Sequence, residues 1–407
     1  MQQRVGRLVE ALCEDVERVL DPLPGSVHRP QELARVLGIN VTLASRLLSA
    51  LRAEDSLEAA YAMPGPEALR AVMTAAAAHG TPAKVVRQAR TRIQAFDLLI
   101  RDEFGGRSAL EALIADGLPS AGVKFQVASR QGMFKAASNL KGAQAEVSFS
   151  TALVLPSDDP MYCSAVFLGG YLGLRRLRPG APVRLQVTML GPSSTGQHGF
   201  RTINGEPIDA AGCGALVEEF CSSPVPRIEI CRGDGTIKHV LADDRVGVAS
   251  SADVIFGERL ESRFRRYQPE GTHERIRRAW IADETEIPCK VLILDLLLAP
   301  QVWPACTPEL RVYDTVIRGT ALPNDPERDA DRMPIEEAVR PLGVGLRRFR
   351  ASEIPRYVQM IQGVCDTVGC DARSLRGYRV RIRYPFYGSQ TMILVDPPIM
   401  GDVSAIG

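Results

Sequence analysis

The sequence predicts an α+β multidomain chain, all-α at its N-terminal end and mixed α/β, with a largely antiparallel sheet, at its C-terminal end. Three observations predict it. Apolar residues recur at helical spacing through roughly the first 140 positions. From Ala145 the period changes to two, with Val147, Phe149, Thr151 and Leu153 alternating with smaller or polar neighbours. The length, 407 residues, exceeds what one compact core usually holds.

Composition narrows the class. Hydrophobic residues make up 45% and charged residues 24%, values that exclude wholesale disorder and collagen-like structure. The 49 basic and 48 acidic side chains nearly cancel, which excludes a globally basic nucleic-acid coat. Only six of the basic residues are lysine. Arginine keeps its charge and presents a planar fork, so this bias points to anionic or carboxylate partners. No segment nears the roughly 20 apolar residues of a membrane span, and the first residues carry no signal-type apolar core. The expectation is therefore a soluble cytoplasmic protein, with no membrane partner. Nine cysteines, without any Cys-x-x-Cys, read as reduced thiols rather than disulfides or a metal site.

Val5, Leu8, Val9, Leu12, Val16 and Val19 form the first helical stripe, ended by Asp21-Pro-Leu-Pro-Gly25. A second helix opens at Pro30 and closes at Gly38, a residue suited to a left-handed cap. After Ile39-Asn40-Val41, a third helix covers residues 42–52. Leu33, Ala34, Leu37, Ile39, Ala44, Leu47 and Leu48 would fill the space between the two, leaving Thr42, Ser45, Arg46 and Ser49 outward. The next stretch, SLEAAYAMPGPEALRAVM, offers at most a brief strand before a helix at Pro66.

The segment QELARVLGINVTLASRLLSALRAED resembles the winged helix-turn-helix of bacterial transcriptional regulators of the IclR and MarR kinds. It is also similar to the non-catalytic N-terminal domain of small-molecule O-methyltransferases, where the same motif mainly dimerises. The resemblance covers about 60 residues. It implies base contacts from Thr42, Ser45, Arg46 and Ser49, phosphate contacts from Arg35 and Arg52, and a homodimer on DNA. Residues 1–80 hold 8 basic and 10 acidic side chains, an unusual balance for a DNA-binding domain.

Helices are predicted over 83–104, 107–116 and 119–142; the last has Lys124, Gln131 and Lys135 on one face and Val123, Val127 and Phe134 on another. The expected domains are 1–80 (helix-turn-helix), 81–144 (helical connector), 145–302 (α+β) and 303–407 (C-terminal α+β subdomain). Within the third, strands are expected at 145–153, 183–189, 245–256 and 290–298, helices at 158–177 and 207–220, and a hairpin around Arg232-Gly-Asp-Gly235. A helix opening at Ile354-Pro355 and a strand carrying Arg379, Arg381 and Arg383 on one face complete the chain.

No strong enzyme signature is present. There is no P-loop, no His-x-x-x-His and no Gly-x-Ser-x-Gly elbow, and no cofactor is expected. Three features remain as ligand-site candidates. Asp295 interrupts the apolar run KVLILDLLLAP, so it either faces a pocket or pairs with an arginine. The Arg379/Arg381/Arg383 stripe either binds an anion, pairs with an acidic neighbour or faces water. The loop holding His198 and Arg201 is either an anion site or a surface turn. The leading expectation is a DNA-binding regulator with a C-terminal region that senses a small-molecule effector or binds a partner. The alternative is an enzyme or metabolite-binding protein whose N-terminal helices only dimerise.

Overall fold

The computed structural model describes residues 1–23, 29–189, 200–208, 215–233, 236–242, 245–268, 278–322 and 325–400. It divides into two compact units, Met1–Ser129 and Arg130–Gly407. The expected boundaries at 80/81 and 302/303 both fall inside these units.

The first unit is helical: α1 (Gln2–Leu20), α2 (Pro30–Leu37), α3 (Val41–Leu51), α4 (Ser56–Ala62), α5 (Pro66–Ala78), α6 (Ala83–Leu98) and α7 (Arg107–Gly117). Leu12, Leu33, Leu47, Val72, Ile93 and Phe96 are wholly buried in one core. Burying each such side chain contributes about 1.5–3 kcal/mol. Pro30 opens α2, and Gly38 closes it in the left-handed conformation at φ 66°. Asn40 caps α3 by accepting from the Thr42 amide at 2.7 Å. Across this three-residue connection the axes of α2 and α3 turn by 119°. Residues 52–65 differ from expectation. The Asp55 carboxylate caps a short helix, α4, by accepting from the Leu57 and Glu58 amides. No wing-type hairpin follows α3, because Asp55 and the alanine-rich run behind it satisfy a helix first.

The boundary between the units falls within α8 (Pro119–Lys141). Of its expected apolar face, Phe134 is buried, but Val123 is exposed.

The second unit holds β1 (Ala143–Pro156), β2 (Tyr162–Arg176), β3 (Arg184–Met189), β4 (Arg201–Thr202), β5 (Ile228–Gly233), β6 (Thr236–Leu241), β7 (Ala252–Arg265), β8 (Ala279–Glu284), β9 (Cys289–Leu298), β10 (Glu309–Asp314), β11 (Arg340–Val344), α9 (Tyr357–Val368), β12 (Arg376–Arg383) and β13 (Ser389–Val395). The main sheet runs β11-β12-β9-β1-β2-β7-β4, and two three-stranded sheets run β10-β13-β8 and β3-β6-β5. Among the strand pairs of the described residues, β1–β9 is parallel and the others are antiparallel. The expectation of an α+β chain with a largely antiparallel sheet therefore stands.

Two expected helices are corrected. Of residues 158–177, Tyr162–Arg176 form β2, a central strand between β1 and β7. Buried on both faces, it lacks the alternation that marks a half-exposed strand. Its glycines are what the packing needs. A Cβ at Gly170 would lie 2.0 Å from the Val254 carbonyl oxygen, and one at Gly169 2.7 Å from that of Phe149. Within 207–220, the described residues give a bridge from Leu216 to β7 and one turn at Glu218–Phe220 instead of a helix. The strand expected at 245–256 begins only at Ala252.

Candidate functional sites

Each strand of the main sheet presents alternate residues to opposite faces, so strand register decides which polar groups meet. One face carries Asp295. Thr151 on β1 lies beside it in parallel register, and Arg379 on β12 in antiparallel register. Asp295 is wholly buried. The Arg379 guanidinium donates to both its oxygens, at 2.8 and 2.7 Å. The Tyr357 hydroxyl, carried on α9, donates to Oδ2 at 2.6 Å and lies 2.7 Å from the Thr151 hydroxyl. Arg379 spends its remaining donors on the Phe349 and Arg350 carbonyls, both at 2.8 Å. Burial raises the Asp295 carboxyl against the opposing pull of Arg379 and Tyr357. Every strong group in this network has a partner, so it offers nothing to a ligand. Of the two readings of Asp295, the arginine pair is the one found.

The arginine stripe does not act as one anion site. Arg379 is consumed by Asp295. Arg381 pairs with Glu353 at the surface. Arg383 is exposed and lies over the Tyr384 ring, 5.9 Å from its centroid. Their fates differ because the sheet is covered at one end of β12 and open at the other. Arg201 donates to the Gly205 carbonyl at 2.9 Å, closing its own turn. His198 lies outside the described residues.

Many other arginines are likewise spent on carbonyl groups of this chain. Arg328 donates to four, those of Asp314, Arg318, Gly319 and Thr320. Arg376 holds those of Val302, Trp303 and Pro304. The arginine bias of the sequence thus serves internal clamps as well as carboxylates.

In the first unit, Thr42, Ser45, Ser49, Arg35 and Arg52 are exposed. Ser49 donates back to the Ser45 carbonyl at 2.9 Å, an ordinary helical arrangement. Val41, half exposed, extends this outer face. Arg46 differs from expectation. Its guanidinium donates to the carbonyls of Ala62 and Tyr61, at 3.0 and 3.4 Å, and lies 3.6 Å from Glu111. Together with Arg107, which holds the carbonyls of Ala60, Tyr61 and Met63, it caps the C-terminal end of α4.

The opposite face of the main sheet carries a feature that the sequence pattern does not reveal. Ser148 faces Tyr171 across the β1–β2 pair, and Ser150 faces Gly169. These small residues leave a cavity of about 150 Å³ between β1, β2 and β7 on one side and β3 and β8 on the other. Asp283, from β8, closes it. As a residue Asp283 is only partly covered, but its Oδ1 is shut off from solvent and meets no hydrogen-bond donor. The Gln186 Oε1, from β3, is buried and equally without a donor. Burial, then Glu284 and Glu286, push the Asp283 carboxyl up to about 7. Burial and the nearby Asp283 carboxylate likewise hold the Tyr171 hydroxyl well above its ordinary range. No cationic side chain lines the hollow among the described residues. In sequence, Asp283 sits in ADETEI, which looks like a solvated acidic turn; only the fold turns it inward.

A second cavity, of about 350 Å³, lies between the 216–220 segment, Gly257 and α9, lined partly by Phe220 and Val364.

Fold and cavities together define a two-unit α+β protein, helical first and sheet-based second, with room for a small molecule inside the second unit. Compared with known protein families, curated proteins and solved structures, the chain shows no significant match. No single helix among the described residues is long and apolar enough to cross a membrane.

Proposed function

We propose that the chain is a DNA-binding transcriptional regulator whose second unit senses a small-molecule effector. One observation carries the reading. Two short helices, α2 and α3, turn by 119° across Gly38-Ile39-Asn40 and leave the outer face of α3 exposed and polar. Helices joined at about 90–120° by a three- or four-residue turn are the geometry of a helix-turn-helix, and α3 would be the helix that enters the major groove. Thr42, Ser45 and Ser49 would meet base edges, with Val41 against a thymine methyl group. Arg35 and Arg52 would meet phosphates. Arg46, held by the carbonyls of Ala62 and Tyr61, would fix α3 against α4 beside that face. One such helix reads too few base pairs alone, so a homodimer on a two-fold site is part of the proposal.

The test uses the full chain in a genome-wide DNA-selection experiment, followed by titration of the selected fragment. Thr42→Asp with Ser45→Asp places two carboxylates where base edges would lie and should reduce affinity at least tenfold. Arg35→Ala should weaken binding to all sequences alike and lower the slope of log affinity against log salt by about one. A chain that selects no DNA, or whose affinity ignores both changes, overturns the reading. It would leave the first unit as a dimerisation module of a metabolite-binding protein.

A further inference from the structure

We infer that the cavity closed by Asp283 is a binding site for a small organic cation, an amine or amidine carried on an apolar body. Four observations meet there. Asp283 Oδ1 and Gln186 Oε1 are buried hydrogen-bond acceptors that make no hydrogen bond among the described residues. Buried polar atoms in folded proteins nearly always have partners, so two orphans lining one hollow mark a place where a donor is supplied from outside. Thr391 lies directly opposite Asp283 on β13 and is wholly buried, and its hydroxyl also lacks a partner.

The second observation is charge. Asp283 has acidic neighbours in Glu284 and Glu286, of which Glu286 is paired with Arg184 at 2.8 Å, and Glu258 joins the wall from β7. No lysine, arginine or histidine lines the hollow among the described residues. A neutral or anionic guest would leave the buried carboxylate uncompensated, whereas a protonated amine supplies both counter-charge and donors. Burial and the acidic neighbours disfavour the charged form of Asp283, a penalty that a bound cation would relieve.

The third is the remaining wall. Phe167 and Phe256 give the hollow an apolar side, suited to the body of the guest and favourable to a cation near a ring. The fourth is the lining at Gly169. A Cβ there would lie 2.7 Å from a backbone oxygen, so the strand is held to glycine and the hollow stays open above it. A metal ion fits less well, because no group of three His, Cys, Asp or Glu side chains is arranged to hold one among the described residues.

This inference rests on the effector-sensing half of the proposed function and not on DNA binding, so the two fail separately. The experiment is calorimetric titration of the full chain, without DNA, at pH 8. The probes are phenethylamine, butylamine and agmatine, each beside a neutral counterpart: 2-phenylethanol, butanol and N-butylurea. At least one amine is expected to bind ten or more times tighter than its neutral counterpart. Asp283→Asn, nearly isosteric, should erase that ratio, and Gln186→Leu should weaken the amine several-fold. Circular dichroism of each variant confirms that it is folded, and amide NMR shifts at Ser150 and Gly169 place the ligand. Equal binding of amine and neutral partner, no binding of any amine, or amine binding that survives Asp283→Asn with shifts elsewhere overturns the inference.

Discussion

Two aspartates of the same unit, Asp295 and Asp283, are opposites in chemistry. Asp295 is wholly enclosed, yet each oxygen receives a donor, two from Arg379 and one from Tyr357. Asp283 is less enclosed, yet its Oδ1 receives none. The first carboxylate is finished by the fold; the second is not. Depth of burial therefore says little about function. What separates a structural acid from a receptive one is whether the chain itself completes its hydrogen bonds.

The comparison breaks most directly at Arg379. Arg379→Ala strands the Asp295 charge in the sheet and should cost about 3–5 kcal/mol, read as a lower urea midpoint. Replacing both partners, Asp295→Leu with Arg379→Met, should cost less than that single change, because no orphaned charge remains. A double variant as unstable as the single one would show that the pair does more than balance itself.

pH sharpens the other half. Asp283 titrates near 7 in the folded chain, against about 3.9 when unfolded. Its folded pKa is raised, so the folded state holds the proton longer. Stability should fall as pH rises from about 4 to about 7 and level off above. The loss is roughly 2–4 kcal/mol, since each tenfold difference in proton affinity between the two states is worth about 1.4 kcal/mol. The groups facing it, Glu284, Glu286, Tyr171 and Glu258, are side chains that cannot carry positive charge, and the nearby Arg184 is held by Glu286. Subtracting the curve of Asp283→Asn isolates the effect; a difference flat with pH would refute it.

Smaller effects follow. Tyr357→Phe removes one donor to Asp295 and leaves the Thr151 hydroxyl unmet, at about 1–3 kcal/mol in thermal or urea unfolding. Arg46→Ala loosens an exposed clamp on α4 and should cost less than about 1 kcal/mol. A large loss of DNA affinity in that variant, with unfolding unchanged, would return Arg46 to the recognition surface.

Much of this was legible in the sequence, for definable reasons. The helical stripes, Pro30 and Gly38 act locally, and α2 and α3 fall within a residue or so of expectation. Asp295 was legible because a single acid stands out in KVLILDLLLAP, although the choice of Arg379 depends on register. β2 was not legible, since a strand buried on both faces loses its alternation. Asp283 was hidden by its acidic neighbours, which look like solvent-facing residues until β13 pairs with β8. Periodicity reports one covered face; it carries no information on what covers the other.

The parallel pairing of β1 with β9 sets an order of events during synthesis. Ala145 pairs with Cys289, and Asp295 with Arg379, so the partners are made far apart in time. At about 5–20 residues per second, β1 waits roughly 7–30 s for β9, and Asp295 then waits roughly 4–17 s more for its guanidinium. Over that interval the apolar strand at the centre of the sheet carries an unbalanced charge. A ribosome halted between β9 and β12 would expose a chain whose first unit is complete and whose second cannot close.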